Sequence, residues 1–220
     1  MSILNEFAKR YGTDKSSEIH NYCVKYEKYL PFNRYDKLNI MEIGVLDGNS
    51  LKTWKDYFYH SNILGIDINL DCKQYEESRI SVEIGSQADG NFLSRTWQQY
   101  GPFDMILDDG SHMNEHVIYS FEHLWGSIKP GGVYVVEDVA TSYWDHYGGG
   151  RYKQGTMMEY FKGITDEVNF FGEILENFPN AHARREDKLL EQFETKKYNY
   201  IGTQIESINF LNGIIIITKI

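Results

Sequence analysis

The ten residues from Asn39 to Gly48, NIMEIGVLDG, constrain the fold more than any other stretch of this chain. A short apolar run, Ile40 to Ile43, breaks at Gly44 and again at Gly48. Apolar residues then recur at helical spacing (Leu51, Trp54, Tyr57, Phe58). Strand, glycine turn, helix is how a doubly wound α/β domain begins. Gly44 permits a sharp turn at the strand end, and Gly48 is expected to let a ligand approach with no side chain in the way. The spacing Gly-x-x-x-Gly is not the Gly-x-Gly-x-x-Gly of dinucleotide binders. Glu42, inside the strand, suits a ligand carrying an ammonium or sulfonium better than one carrying a pyrophosphate. By itself the turn also fits an ordinary strand-to-helix connection.

The alternation continues along the chain. A second strand, Asn62 to Ile68, carries Asp67 near its end. It lies about 20 residues past the first turn, where a carboxylate can hold a ribose diol, or merely cap the next segment. A third strand, Arg79 to Ile84, leads into GSQAD, whose polar residues, Gln87 among them, would lie beside a nucleoside base. A fourth, Phe103 to Leu107, runs into Asp108-Asp109-Gly110-Ser111-His112. A fifth, Val133 to Val136, follows the turn Pro130-Gly131-Gly132 and ends in Glu137-Asp138. Helices are expected over Ser50 to Phe58, Asn91 to Tyr100 and His116 to Ile128. Strands alternating with helices at this spacing indicate a parallel sheet. The last segment, SINFLNGIIIIT, reads as an antiparallel hairpin, because Asn212-Gly213 between apolar runs is a strong turn signal.

The flanks of this core carry their own patterns. Ile3 to Arg10 reads as a short amphipathic helix. In Gly12-Thr13-Asp14-Lys15 a turn is expected, with Thr13 or Asp14 as a helix cap, and Tyr22, Tyr26 and Tyr29 recur at helical spacing. The aromatic, then glycine-rich stretch Thr141 to Gly150 reads as a loop over the site. Tyr152 to Arg185 is expected to be helical, with Ile164, Val168, Phe171 and Leu175 on one face. The expected organisation is one domain over 1–220, with an N-terminal helical cap (1–37) and a lid plus helical insertion (141–200).

Charge and cysteine usage narrow the function classes. The net charge is −10 and no run of Lys or Arg stands out, so the basic footprint of a nucleic-acid binder is missing. Cys23 and Cys72 match no metal or redox spacing and are expected to be reduced thiols of a cytoplasmic protein. No signal-peptide pattern opens the chain, and the apolar run Ile214 to Ile217 is far too short to span a bilayer.

The residues that carry chemistry sit at two strand ends. In a sheet ordered 3-2-1-4-5 the fourth and fifth strands are neighbours. Their C-terminal ends open on the same crevice as the first glycine turn. Asp109, Glu137 and Asp138 should converge there. Three carboxylates that close repel one another unless a cation sits between them. Hard oxygen ligands suit Mg²⁺, or Ca²⁺ or Mn²⁺. His112, just past Asp109, is placed for general-base work near neutral pH. Two rival readings are that both clusters are helix caps, and that His112-Met113-Asn114-Glu115-His116 is the H-x-x-E-H motif of a zinc hydrolase.

Taken together, GTDK, ME-IG-LDG, GIDI, GSQAD, GPFDMILDDGSH and PGGVYVVEDVATSYW resemble class I methyltransferases that use S-adenosylmethionine. More narrowly, they are similar to the metal-dependent sugar O-methyltransferases of the macrocin and mycinamicin type, a group whose motifs cephalosporin hydroxylase-like proteins share. The resemblance runs from about Tyr11 to Trp144 and returns in the final hairpin. It implies a seven-stranded, mostly parallel sheet in the order 3-2-1-4-5-7-6. It also implies Mg²⁺ at Asp109, Glu137 and Asp138, and His112 as the base. Cofactor contacts are implied at Glu42, Gly44, Asp67, Gln87 and Asp108, with Thr13 and Lys15 near the cofactor or lid. The implied reaction is O-methylation of a sugar hydroxyl in a polysaccharide or glycosylated metabolite, by a homo-oligomer that meets no membrane. A domain of this fold that binds the cofactor without turnover is the remaining alternative.

Overall fold

The structure is a computed structural model that describes residues 2–169 and 201–220. In chain order the main elements are α1 (Ile3–Tyr11), α2 (Cys23–Tyr29), β1 (Asn39–Ile43), α3 (Asn49–Tyr57), β2 (Asn62–Asp67) and β3 (Ile80–Ile84). Then follow α4 (Gly90–Tyr100), β4 (Phe103–Asp108), α5 (Asn114–Leu124), β5 (Ile128–Val136), α6 (Met157–Val168), β6 (Ile205–Phe210) and β7 (Ile215–Lys219). The seven strands form one sheet in the order β3-β2-β1-β4-β5-β7-β6. All pairs from β3 to β5 are parallel, and β7 pairs antiparallel with both β5 and β6. This is the doubly wound sheet with a closing hairpin that the sequence predicts.

Strand alternation sorts the core into two layers. Met41, Ile43, Ile106, Tyr134 and Val136 point to the face covered by α4, α5 and α6, where Phe92, Leu93, Val117, Phe121 and Phe161 pack. Ile40, Met105, Leu107, Val133 and Val135 point to the other face, covered by α1, α2 and α3 through Leu4, Ala8, Tyr26, Leu51 and Trp54. The N-terminal helices therefore form one of the two layers that bury the sheet. Burying a side chain of this size contributes roughly 1.5–3 kcal/mol, so the layer is integral to the fold.

Three local departures from the sequence reading have clear causes. The fifth strand starts at Ile128 rather than Val133, because Phe103 pairs with Ile128 before the register shifts so that Met105 meets Val133. The Pro-Gly-Gly turn is thus an irregularity inside the strand, with Gly131 at φ +77°. The helix expected from His116 begins two residues earlier, at Asn114, and its end tightens into a 3₁₀ turn at Trp125–Ser127. Gly48 makes room for a ring rather than for a ligand. A Cβ there would come within 2.6 Å of Tyr75, and its φ of +71° starts α3 from the left-handed region. Phe171 and Leu175, expected on a helical face, lie outside the described residues.

Candidate active site

A cleft of about 480 Å³ lies at the C-terminal ends of β1, β2, β3 and β4, with Thr13, Gly44, Asp67, Gln87, Asp109 and His112 among its walls. The carboxyl ends of strands at the point where strand order reverses are where open α/β sheets bind ligands. Here β1 sends the chain one way to β2 and β4 lies on its other side. Gly44 makes the approach possible: its φ is +93°, and a Cβ would lie 2.2 Å from the Asp109 carbonyl oxygen. No side chain fits between the two loops.

Asp67 lies in the wall beside this turn. Its Oδ2 accepts from the Val45 and Leu46 N–H groups at 2.8 and 3.2 Å, and Oδ1 accepts from the Asn69 N–H at 2.9 Å. Burial pushes its pKa up, but these three backbone donors outweigh it and hold the carboxyl below the usual range. The carboxylate therefore shapes the glycine turn, with both lone pairs of Oδ2 taken by backbone donors. Gln87 ties the β3 turn to β4. It donates to Asp108 Oδ1 at 3.0 Å and accepts from the Ser111 N–H at 2.7 Å. Apolar walls at Ile43, Leu46, Ile66 and Ile68 complete a slot with polar ends.

The neighbouring aspartates Asp108 and Asp109 part company. Asp108 is 1% exposed and does not line the cleft. It accepts from Ser120 Oγ at 2.5 Å, Tyr134 OH at 2.8 Å and Gln87. Burial raises its pKa, and those donors pull it back. This corrects the expected cofactor contact at Asp108: strand parity sends it with Ile106 to the α5 side. Glu42 departs in the same manner. It is fully buried, outside the cleft, with Ile40 on the α1–α3 side. Its nearest cation is Lys15, 3.4 Å from Oε1, and burial pushes its pKa up to about 7 against the pull of that ammonium.

Asp109 opens on the cleft. One oxygen accepts from Lys15 Nζ, and the other lies 4.0 Å from His112 Nε2. Asp138 Oδ2 is 3.8 Å from the same nitrogen, and Asp138 Oδ1 accepts from Tyr22 OH at 2.6 Å. Among the described residues, Asp109, His112 and Asp138 bring three ligand atoms within 4.8 Å of one another. Glu137 is turned the other way. It is 2% exposed, and its carboxylate accepts from Tyr26 OH and, at 2.9 Å, from Lys15 Nζ. Burial and the charge of Asp109 push the Glu137 pKa well above the carboxylate range, although Lys15 pulls it down. Asp109 and Asp138 therefore meet at His112, while Glu137 shares Lys15 with Asp109 instead of joining that cluster.

Lys15 itself, expected near cofactor or lid, is 2% exposed. Burial pulls its pKa down, but Asp109, Glu137 and Glu42 hold it well above the usual lysine range. Lys15, Tyr22 and Tyr26 are the residues whose role at the carboxylates sequence reading missed. The tyrosine spacing was visible, and parity along β5 (Val133, Val135, Glu137) would have pointed Glu137 at that layer. Backbone strain gathers here too. His112 and Asp138 have φ of +56° and +50°, in a region that non-glycine residues rarely occupy.

The zinc-hydrolase reading does not survive this geometry. His112 lies on the loop before α5, not on its face, and His116 Nδ1 is engaged 3.0 Å from Ser111 Oγ. The stretch from Tyr143 to Gly150 folds back through Gly149 N–H to Trp144 O and Gly150 N–H to Ser142 O. Asn114 holds it by donating to the Tyr147 carbonyl at 2.9 Å.

A seven-stranded sheet in this order, with its cleft at the strand switch point, defines the α/β fold of class I methyltransferases. Its homologues are macrocin- and mycinamicin-type sugar O-methyltransferases. No family model matches the sequence. Demethylmacrocin O-methyltransferase of Streptomyces fradiae is 40% identical over 153 residues, which is 66% of this chain and 38% of the relative. Mycinamicin VI 2''-O-methyltransferase of Micromonospora griseorubida is 38% identical over 175 residues, 75% of this chain and 44% of the relative. The chain thus spans less than half the length of these curated relatives. The crystal structure of MycE methyltransferase with Mg and SAH superposes with a TM-score of 0.81 at 30% identity, over 98% of this chain and 54% of that one. Among the described residues, no helix is long and apolar enough to cross a membrane.

Proposed function

We propose that this chain is a Mg²⁺-dependent O-methyltransferase that moves the methyl group of S-adenosylmethionine to a sugar hydroxyl of a glycosylated small molecule. The observation that carries the reading is the meeting of Asp109, Asp138 and His112 beside the cleft. The donor set is hard: carboxylate oxygens, with an imidazole on the rim, fit Mg²⁺ or Mn²⁺. The slot between Gly44, Asp67 and Gln87, with its apolar walls, fits a nucleoside with a charged tail. Demethylmacrocin and mycinamicin VI, named for the relatives' reactions, favour a glycosylated small molecule over a polysaccharide. The net charge of −10 argues against a nucleic-acid acceptor.

Each residue has a distinct task in this reading. Asp109, Glu137 and Asp138 would hold the metal, which when bound lowers the pKa of an acceptor hydroxyl. His112 faces Asp109 and Asp138 and would take the hydroxyl proton as the oxygen displaces S-adenosylhomocysteine from the methyl carbon. Thr13, Gly44, Asp67 and Gln87 position the cofactor along the slot, so that orientation supplies most of the acceleration.

His112 decides between base and ligand. His112→Ala should lower turnover roughly 10²–10⁴-fold, the usual worth of a general base, while Mn²⁺ affinity stays close to that of the wild type. Metal affinity and turnover measured on the same protein check this. A collapse of Mn²⁺ affinity in His112→Ala makes the imidazole a ligand. Full activity of the wild type in EDTA removes the metal from the mechanism.

A further inference from the structure

Lys15 is a buried cation set among anions that the reading above assigns to a metal. Its Nζ donates to Asp109 Oδ2, lies 2.9 Å from Glu137 Oε2, and sits 3.4 Å from Glu42 Oε1. The local chain holds it there. The Lys15 carbonyl accepts from the Tyr22 and Cys23 N–H groups at 3.0 and 3.2 Å, and from Cys23 Sγ at 3.2 Å. From the same segment Tyr22 OH donates to Asp138 and Tyr26 OH donates to Glu137. Every carboxylate of the proposed metal site therefore accepts a hydrogen bond from residues 15–26. Only one of those donors carries a full charge.

We propose that Lys15 is a built-in counter-ion that competes with the divalent cation for Asp109 and Glu137 and so sets how tightly the site holds its metal. The inference rests on the metal reading of Asp109, Glu137 and Asp138. The physics is a balance of charges. A fixed unit positive charge in hydrogen-bonding range of two ligands repels an incoming dication and ties up one oxygen of each ligand. The same charge holds together carboxylates that would otherwise repel across a buried site. Lys15 thus trades metal affinity for a site that stays assembled and can exchange its metal. Tyr22 and Tyr26, being neutral, aim their carboxylates without that competition; all three are positioning residues.

This makes the sign of one measurement decisive. A lysine that only supports the fold should weaken metal binding when removed. A competing counter-ion should tighten it. Mn²⁺ binding to the full chain, followed by electron paramagnetic resonance without cofactor or acceptor, reads this directly. Lys15→Met should bind Mn²⁺ about tenfold or more tightly than the wild type, the scale of removing one nearby charge in a partly screened site. Lys15→Arg, which keeps the charge, should stay within about threefold of the wild type. Mn²⁺ should also raise the melting temperature of Lys15→Met by more than that of the wild type. A folded Lys15→Met that binds Mn²⁺ equally or less tightly overturns the proposal. Should Lys15→Met not fold without metal, recovery of its helical circular dichroism on adding Mn²⁺ supports the proposal. Failure to recover overturns it, unless folded Lys15→Gln binds more tightly than the wild type. Wild-type binding with no tightening in either Lys15→Met or Lys15→Gln refutes the counter-ion alone. Absence of Mn²⁺ binding in the wild type and both variants refutes the metal reading with it.

Discussion

Asp108 and Asp109 are adjacent in sequence and live in different chemistry. Asp108 ends β4 on the α5 side, where two hydroxyls and an amide satisfy it: Ser120, Tyr134 and Gln87. Asp109 turns to the α1–α2 side, where an ammonium takes one oxygen and the other opens toward His112 and the cleft. One carboxylate is sealed by neutral donors and the other is shared between a cation and an open site. The difference teaches that the pleat of a strand, more than residue identity, assigns a carboxylate to scaffold or to chemistry.

The comparison can be broken most forcefully at Asp109. Asp109→Asn should cost metal affinity more than the roughly 10–100-fold that losing an outer partner of a ligand costs, and turnover should fall with it. Mn²⁺ titration of the purified variant checks this, and near wild-type affinity would move Asp109 into the same class as Asp108.

Glu42 sharpens the electrostatic side of the comparison. Its carboxyl has a folded pKa of about 7 against 4.5 as the unperturbed value. A carboxyl raised on folding binds more protons folded than unfolded, so the stability it contributes is present below about 4.5 and is lost as pH rises to about 7. The loss amounts to about 3 kcal/mol if the unfolded chain titrates normally. Glu42→Gln should therefore melt higher than the wild type above pH 7 and show a flatter pH dependence below it. Thermal unfolding across pH 4–8 tests this, and parallel curves for the two proteins would deny Glu42 its buried-acid role.

The smallest effect is expected at the sealed carboxylate. Asp108→Asn should lower stability by about 1–3 kcal/mol, the cost of mismatching buried donors, which is a few degrees per kcal/mol in Tm for a chain of this size. Mn²⁺ affinity should not change. A Tm change without a metal effect in Asp108→Asn, beside the converse in Asp109→Asn, would secure the division. Loss of metal binding in both would erase it.

Much of the fold was legible because it is written locally. The glycine turn at Gly44, the acidic strand ends and the Asn212-Gly213 hairpin each follow from nearby residues and the period of the strands. Asp109 and Asp138 were legible as cleft residues for the same reason. The contacts of Glu42 and Glu137 were not legible because their partner lies on another element: Lys15 is 27 residues from Glu42 by chain number and 122 from Glu137.

What the sequence determined by itself was the order of strands and helices, the acidic ends of β4 and β5, and the chemical character of the cleft. Those depend on backbone preference and on patterning over a few residues. The tertiary structure alone decided which oxygen meets which donor. It placed residues 12–29 over the strand ends, so that Lys15, Tyr22 and Tyr26 reach Asp109, Asp138 and Glu137. It also sent Asp108 to the opposite layer. Side-chain partners across a sheet are selected when two layers pack on its faces, and no local sequence period records which residue of a distant segment will lie above a given strand end.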